Sequence, residues 1–162
     1  MYLRNIDLNS NHQVPKFKIG ALGTDNDETD IFEYVRFDNG TGNVTAVAGH
    51  LVVGCDAGSP NALVTNDPSS ATPAALEQDP RGFLQTVLTD QYYGWAQTWG
   101  RNRQIVVVSG AISKGATAMA HPTTDAAVVA HDASAVPSVG VALEAAAGSE
   151  FQIGEFLIKI KR

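Results

Sequence analysis

Few residues in this 162-residue chain have the type and spacing that catalysis or metal binding requires. His131 and Asp132 form its single His-Asp dipeptide, but neighbours in an extended segment point to opposite faces, so they are poorly placed to share a metal ion. The sequence contains no Walker-type phosphate loop, no G-x-S-x-G nucleophile elbow and no H-E-x-x-H pair. We therefore predict no catalytic residue, no cofactor site, no metal site and no enzymatic activity.

The run Thr24 to Asp30, TDNDETD, is acidic enough to suggest a calcium loop. An EF-hand loop that begins at Asp25 needs glycine at its sixth position and glutamate at its twelfth, whereas this chain has Asp30 and Arg36 there. The run is therefore predicted to be a solvated turn.

The densest aromatic segment is Gln91 to Gly100, QYYGWAQTWG, which holds both tryptophans and two of the four tyrosines. Its internal and terminal glycines disfavour a helix. In a strand, alternate residues share a face, and one face would be directed to the core: Tyr93, Trp95, Gln97 and Trp99. Such clusters form either the centre of a core or the anchor of an interface. Both interpretations stay open, and the interface candidates are Tyr92, Trp95 and Trp99.

Composition narrows the class of protein. Charged residues make up 17% of the chain, below the roughly 25% of a typical soluble domain, which suggests buried subunit contacts. The net charge of -6 argues against binding to nucleic acid. Cys55 is the single cysteine, so an intrachain disulfide is excluded. No stretch reaches the ~20 apolar residues of a membrane-spanning helix, and we expect a soluble protein without membrane contact.

The pattern of short strands and turns predicts an all-β fold. Segments rich in β-branched and aromatic residues alternate with turns of Gly, Ser, Asp and Pro, as in a small β-barrel or sandwich with long loops. At most one short helix is expected, after Thr72. Residues 16–162 are predicted to form a single domain, in which Ile31 to Phe37 and Val44 to Gly54 build a hairpin or meander, Lys16 to Leu22 is a short strand, and the last strand absorbs a bulge at Gly154 or Glu155.

Residues 1–15 are predicted to form an extended N-terminal arm. Isolated apolar residues alternate there with polar ones, so the arm cannot build a core of its own. Four side chains are candidates for contact with a neighbouring molecule: Tyr2, Leu3, Ile6 and Leu8. On this interpretation, deleting residues 1–14 would leave the melting temperature nearly unchanged and would weaken binding to a partner.

Two long segments carry a family resemblance. The run YYGWAQTWGRNRQIVVVSGAISKGATAMAH, followed by SVGVALEAAAGSEFQIGEFLIKI, resembles the small capsid decoration (cement) proteins of tailed bacteriophages. That family has a Y-G-W-x-Q segment, a hairpin similar to V-x-G-x-[IV]-x-x-G and a strand similar to V-G-x-A-L-E, places held here by Tyr93 to Gln97, Ile112 to Gly115 and Val139 to Glu144. The match covers roughly residues 80 to 162. The acidic run and the loop from Ala57 to Pro73 have no counterpart.

The resemblance implies a structural protein rather than an enzyme. Its partner would be the major capsid protein on the outer surface of a phage head, where it would stabilise the expanded lattice, commonly as a homotrimer. It would be made in the host cytoplasm, reside in the virion and need no cofactor. Two alternatives stay open: a carbohydrate-binding β-domain of a virion, and a trimeric β-barrel enzyme of the dUTPase type.

Overall fold

The computed structural model describes residues 3–25, 27–55, 62–68, 79–132, 137–146 and 152–160. These residues contain twelve strands and no helix, which confirms the all-β prediction. The strands are β1 (Leu22–Thr24), β2 (Ile31–Asp38), β3 (Leu51–Gly54), β4 (Leu63–Thr65), β5 (Pro80–Leu84), β6 (Tyr93–Arg101), β7 (Val106–Val107), β8 (Thr117–Ala120), β9 (Val128–Ala130), β10 (Ser138–Ala142), β11 (Gln152–Ile153) and β12 (Phe156–Lys159). The short helix expected after Thr72 falls outside the described residues.

Five strands close into a barrel in the order β2-β4-β3-β5-β6. Closure depends on the long antiparallel pairing of β6 with β2, from Ile31↔Trp99 to Arg36↔Tyr93. Side chains of all five strands fill the interior, among them Val35, Val52, Val64, Leu84 and Ala96. Of the two predicted architectures, the chain therefore adopts the barrel.

A second layer grows from the same central strand. Gln97 pairs with β2 and β5, and Trp99 pairs with β2 and β12, so β5 and β12 occupy one edge of β6 at different heights. Beyond β12 the sheet continues through β10, β8 and β9. A larger apolar core fills the space between this extension and the outer wall of the barrel, where the rings of Phe83 and Phe156 lie 5.8 Å apart. The central strand β6 is consequently covered on both faces along most of its length.

The arm lies across the outside of the barrel. Leu3 pairs with β1, through a bond of 2.9 Å from its N–H to the Leu22 carbonyl, and His12 forms a bridge with Tyr93. Between these points Ile6 and Leu8 are half-buried against a cluster of Phe32, Tyr34 and Trp95. The arm thus contributes to a third, smaller apolar cluster of its own chain.

Two local predictions were wrong. Strands β2 and β3 do not form a hairpin, because β4 lies between them, parallel to β2 and antiparallel to β3. Residues 16–21 contain no strand; they turn, and Tyr34 ties this turn down by hydrogen bonds with Lys16 and Gly20.

The bulge predicted in the last strand is a full interruption. Residues 154 and 155 separate β11, which pairs with β7, from β12, which pairs with β6 and β10. The interruption has the effect that was predicted for the bulge, because Ile153, Phe156 and Ile158 are all buried and Lys159 is exposed.

Candidate interaction surface around Trp99

The two tryptophans of the aromatic segment have opposite environments. Trp95 has no exposed surface and packs against Tyr34 and Phe17, with ring centroids 5.0 and 5.4 Å apart. On this fold it is unavailable to a partner and serves as a core residue. Trp99, four positions further along the same strand, is 45% exposed and is a large aromatic side chain open to solvent.

Trp99 lies within a sheet face rather than on a loop. It pairs with Ile31 of β2 on one side and with Lys159 of β12 on the other, and the next residue pair along β6 and β12 on that face is Arg101 with Leu157. Directly paired residues of an antiparallel sheet project from the same face, so these side chains surround the indole. We call the exposed set Trp99, Arg101 and Lys159, with half-buried Ile31 and Leu157, the Trp99 surface.

Buried polar side chains fix the backbone beneath this surface. The fully buried amide of Gln97 donates to the carbonyls of Trp99 and Arg101, at 3.3 and 2.8 Å. The Thr98 hydroxyl donates to the Ile31 carbonyl at 3.1 Å, which ties β6 to β2 beside the indole. Because hydrogen bonds inside a protein are strengthened by the low local dielectric, these bonds fix the backbone that carries Trp99.

Arg103 links the acidic run to the backbone region beneath the Trp99 surface, and we call it the hub of these contacts. Its Nε donates to Asp30 at 2.7 Å, its Nη2 contacts Asp25, and its guanidinium lies 5.9 Å from the centroid of the Phe32 ring. Both aspartate side chains are only 8% exposed. The solvated turn predicted for the acidic run is therefore wrong for these two residues, because an arginine from beyond β6 compensates their charge in a buried setting.

Gly100 shows how closely the acidic run approaches β6. Its φ of +105° lies in the region that favours glycine, and a Cβ atom there would collide with the carboxylate of Asp30. The residue after Trp99 must therefore be glycine for the Asp30–Arg103 pair to form. Both the positive φ and the close contact with Asp30 thus require glycine at position 100, next to the exposed Trp99.

The charge of the Trp99 surface contrasts with that of the chain. Lys159 and Arg101 are exposed on it, although the chain carries a net charge of -6. Glu155 pairs with Arg101 at 2.5 Å, with side chains 50% and 63% exposed. Exposed pairs of this kind are weak, so Arg101 can exchange its partner at little cost. Tryptophan and arginine are both enriched among the few residues that contribute most of the binding energy at protein interfaces.

The other interface candidates are distributed over the molecule rather than gathered at one site. Leu3 is 37% exposed, whereas Ile6 and Leu8 are half-buried on the chain's own aromatic cluster. Tyr92 is half-buried at the start of β6, at the opposite end of the strand from Trp99. Tyr2 lies outside the described residues. The structure therefore brings none of these residues to the Trp99 surface.

A cleft of about 580 Å³ is lined by residues of four strands, β5, β8, β10 and β12. Asp79, Thr117, Ser138 and Lys159 supply its polar lining, and Pro80, Pro137 and Val141 are among its apolar walls. The volume is that of a small-ligand site, but no imidazole or thiol lines the cleft in the part of the chain that the structure describes.

Other functional features were sought in the described ranges. They contain no group of three His, Cys, Asp or Glu side chains able to hold a metal ion. None of their elements is a helix of the length and apolarity needed to cross a membrane. No protein-family model, curated protein or solved structure matches the chain.

Sequence reasoning singled out Trp99 alone among the five members of the Trp99 surface, and it missed Arg103 beneath that surface. Ile31 and Lys159 reach Trp99 through pairings between distant strands, and Arg103 reaches Asp30 across 73 positions of sequence. One signal was present: Gly100 directly follows Trp99, and a glycine at the end of a strand often marks a close backbone approach.

Proposed function

We propose that this protein is a structural decoration protein that binds the major capsid protein on the outer surface of a phage head. The observation that carries the proposal is the exposed indole of Trp99, which lies on the paired strand β6 between Arg101 and Lys159. The resemblance of residues 80–162 to capsid decoration proteins supports it independently. On this proposal the Trp99 surface contacts the shell, and the protein acts by binding alone, without catalysis.

Stabilisation of the head would follow from mass action. A protein that binds the expanded lattice, but not the separated subunits, stabilises the lattice by its binding free energy. A tryptophan supplies a large contact area at a low cost in side-chain entropy, because it has only two rotatable side-chain bonds. The cationic rim favours an acidic area of the capsid protein, which would steer binding and make its rate depend on ionic strength.

Replacing Trp99 with alanine tests the proposal. Truncation of a hot-spot tryptophan typically costs at least ~2 kcal/mol, which corresponds to about a 30-fold weaker affinity. Cosedimentation with expanded heads that lack the decoration protein measures that affinity. The matched control is Val87→Ala, because Val87 is 51% exposed and lies outside both the arm and the Trp99 surface. Equal binding of the Trp99→Ala variant and the wild type would show that this surface does not contact the shell.

Exposure of an indole also favours the carbohydrate-binding alternative, since sugar rings stack on exposed aromatic faces. Glycan binding by the isolated protein that is lost in the Trp99→Ala variant, together with unchanged binding of that variant to heads, would establish this second function. No feature of the described residues favours the dUTPase-type alternative.

A further inference from the structure

A bulge in β10 opens the cleft of about 580 Å³ that β5, β8, β10 and β12 line. Val141 of β10 lies opposite Leu157 of β12, and the same register continued by two residues would place Val139 opposite Lys159 on the solvent-facing side of the sheet. The pairing of β10 with β8 shifts just before Gly140, however, and Val139 is fully buried in the large core. Bulges redirect side chains in this way. The place beside Lys159 is therefore left open to a ligand.

The walls of the cleft are apolar and stiff. Pro80 begins β5 and Pro137 directly precedes β10, so two residues with a fixed φ border the opening. Val141 is half-buried between them and offers an aliphatic contact. The volume lies within the roughly 300–1,000 Å³ that is typical of small-molecule sites. It is large enough for a ligand of about two sugar rings.

The cleft carries one uncompensated positive charge. Asp79 contributes a carboxylate, but the Nε of Arg81 lies 3.7 Å from it and offsets its charge. Lys159 is exposed, and none of the ion pairs of the described residues includes it. A free ammonium in a chain with a net charge of -6 favours a ligand that carries a negative charge of its own.

The remaining polar groups select hydroxyl groups on the ligand. The Thr117 hydroxyl is exposed on β8, and the Ser138 hydroxyl donates only a long bond of 3.3 Å to the Gly140 carbonyl. A hydroxyl both donates and accepts, as a sugar hydroxyl does, and Asp79 adds an acceptor. No aromatic ring from the described residues lines the cleft, so a nucleotide base has nothing to stack on. Strands β8, β10 and β12 are paired on both sides, so an extended peptide cannot add to them as a strand.

We propose that this cleft binds an acidic oligosaccharide of about two sugar residues, with the sugar carboxylate on Lys159 and ring hydroxyls on Thr117, Ser138 and Asp79. The apolar C–H face of a sugar ring packs on Val141 and the prolines. This site is distinct from a sugar stacked on the Trp99 indole, because it requires neither the indole nor the shell.

A titration of the isotope-labelled full chain, followed by the NMR signals of its backbone amides, tests the proposal. The probes are uronate disaccharides of gluco, galacto and manno configuration, each with its neutral counterpart at the same millimolar concentration. At least one uronate should shift the signals of Thr117, Val141 and Lys159 and bind more tightly than its neutral counterpart. Lys159→Gln should weaken that uronate roughly three- to tenfold and remove the preference for it. Lys114→Gln is the matched control, because it removes the same charge from an exposed turn outside the cleft, and it should bind as the wild type does.

Thr117→Val separates this site from the proposed contact with the shell, because Lys159 belongs to both and Thr117 only to the cleft. The change keeps the shape of the side chain and removes one hydrogen-bonding group, so uronate binding should weaken about two- to tenfold while binding to heads stays unchanged. Thermal unfolding of each variant checks the fold. The proposal is overturned if no uronate shifts these signals, if the neutral sugars bind equally well, or if Trp99→Ala loses uronate binding that Thr117→Val retains.

Discussion

Replacement of Arg103 by methionine should destabilise the fold more than any other single charge removal on this face of the molecule. Methionine keeps much of the aliphatic volume of the side chain but removes the guanidinium that contacts Asp25 and Asp30. Both carboxylates then remain in sites where they are 8% exposed, without the arginine that compensates them. Asp25 already has one buried oxygen without a hydrogen-bond partner, so its environment offers little alternative solvation.

The magnitude follows from the burial of the pair. Removing one partner of a buried ion pair costs ~3 to 5 kcal/mol. Arg103 is itself 35% exposed, so water screens part of the interaction and the lower end, about 3 kcal/mol, applies. In a domain of this size 1 kcal/mol changes Tm by roughly 2–4 °C, so Tm should fall by about 6–12 °C.

Urea and thermal unfolding of Arg103→Met measure this loss. Arg101→Met is a matched control, since Arg101 lies two positions earlier and its pair with Glu155 is 63% and 50% exposed. Loss of that exposed pair should cost less than about 1 kcal/mol. A double-mutant cycle with Asp30→Asn isolates the coupling between the two charges. Equal stabilities of the Arg103→Met and Arg101→Met variants would refute the assignment of Arg103 as the hub.

Two further predictions concern other parts of the fold. The Asp125 carboxyl is hydrogen-bonded to the buried carboxyl of Asp67, and burial followed by the charge of Asp67 raises the pKa of Asp125 above its usual range. The stability that comes from this raised pKa is fully present below the unfolded value near 3.8, and it is lost as pH rises through the folded value. Urea titrations at pH 4 and pH 7 should therefore show that Asp125→Asn gains stability relative to the wild type at pH 7. The same stability difference at both pH values would contradict this prediction. Deletion of residues 1–12 removes the half-buried side chains of Ile6 and Leu8 from the cluster around Trp95. Each loss costs roughly 1 kcal/mol, so calorimetry should show a Tm that is lower by several degrees. An unchanged Tm would indicate that the arm has only the external contact role that its sequence suggested.

The fold class could be predicted because its signals are local. Ile31–Asp38 and Tyr93–Arg101 are rich in β-branched and aromatic residues, and the chain forms strands at both. The closure of the barrel could not be predicted in the same way. Strand β4 has three residues and gains its place through parallel pairing with Arg36–Asp38, a non-local contact for which short-range sequence patterns carry no signal.

The difference in exposure between Trp95 and Trp99 could not be predicted from the alternation of side chains along a strand. The two residues have the same parity, so an ideal strand would bury or expose both together. The register of β6 against β2 shifts between Ile31 and Phe32, and Gly100 turns the backbone with its positive φ. The cover of the strand also changes along its length, since residues of the arm pack on Trp95 whereas Lys159 lies beside Trp99. The exposure of each tryptophan is therefore set by the distant segments that cover it, and the sequence of Gln91 to Gly100 carries no information about those segments.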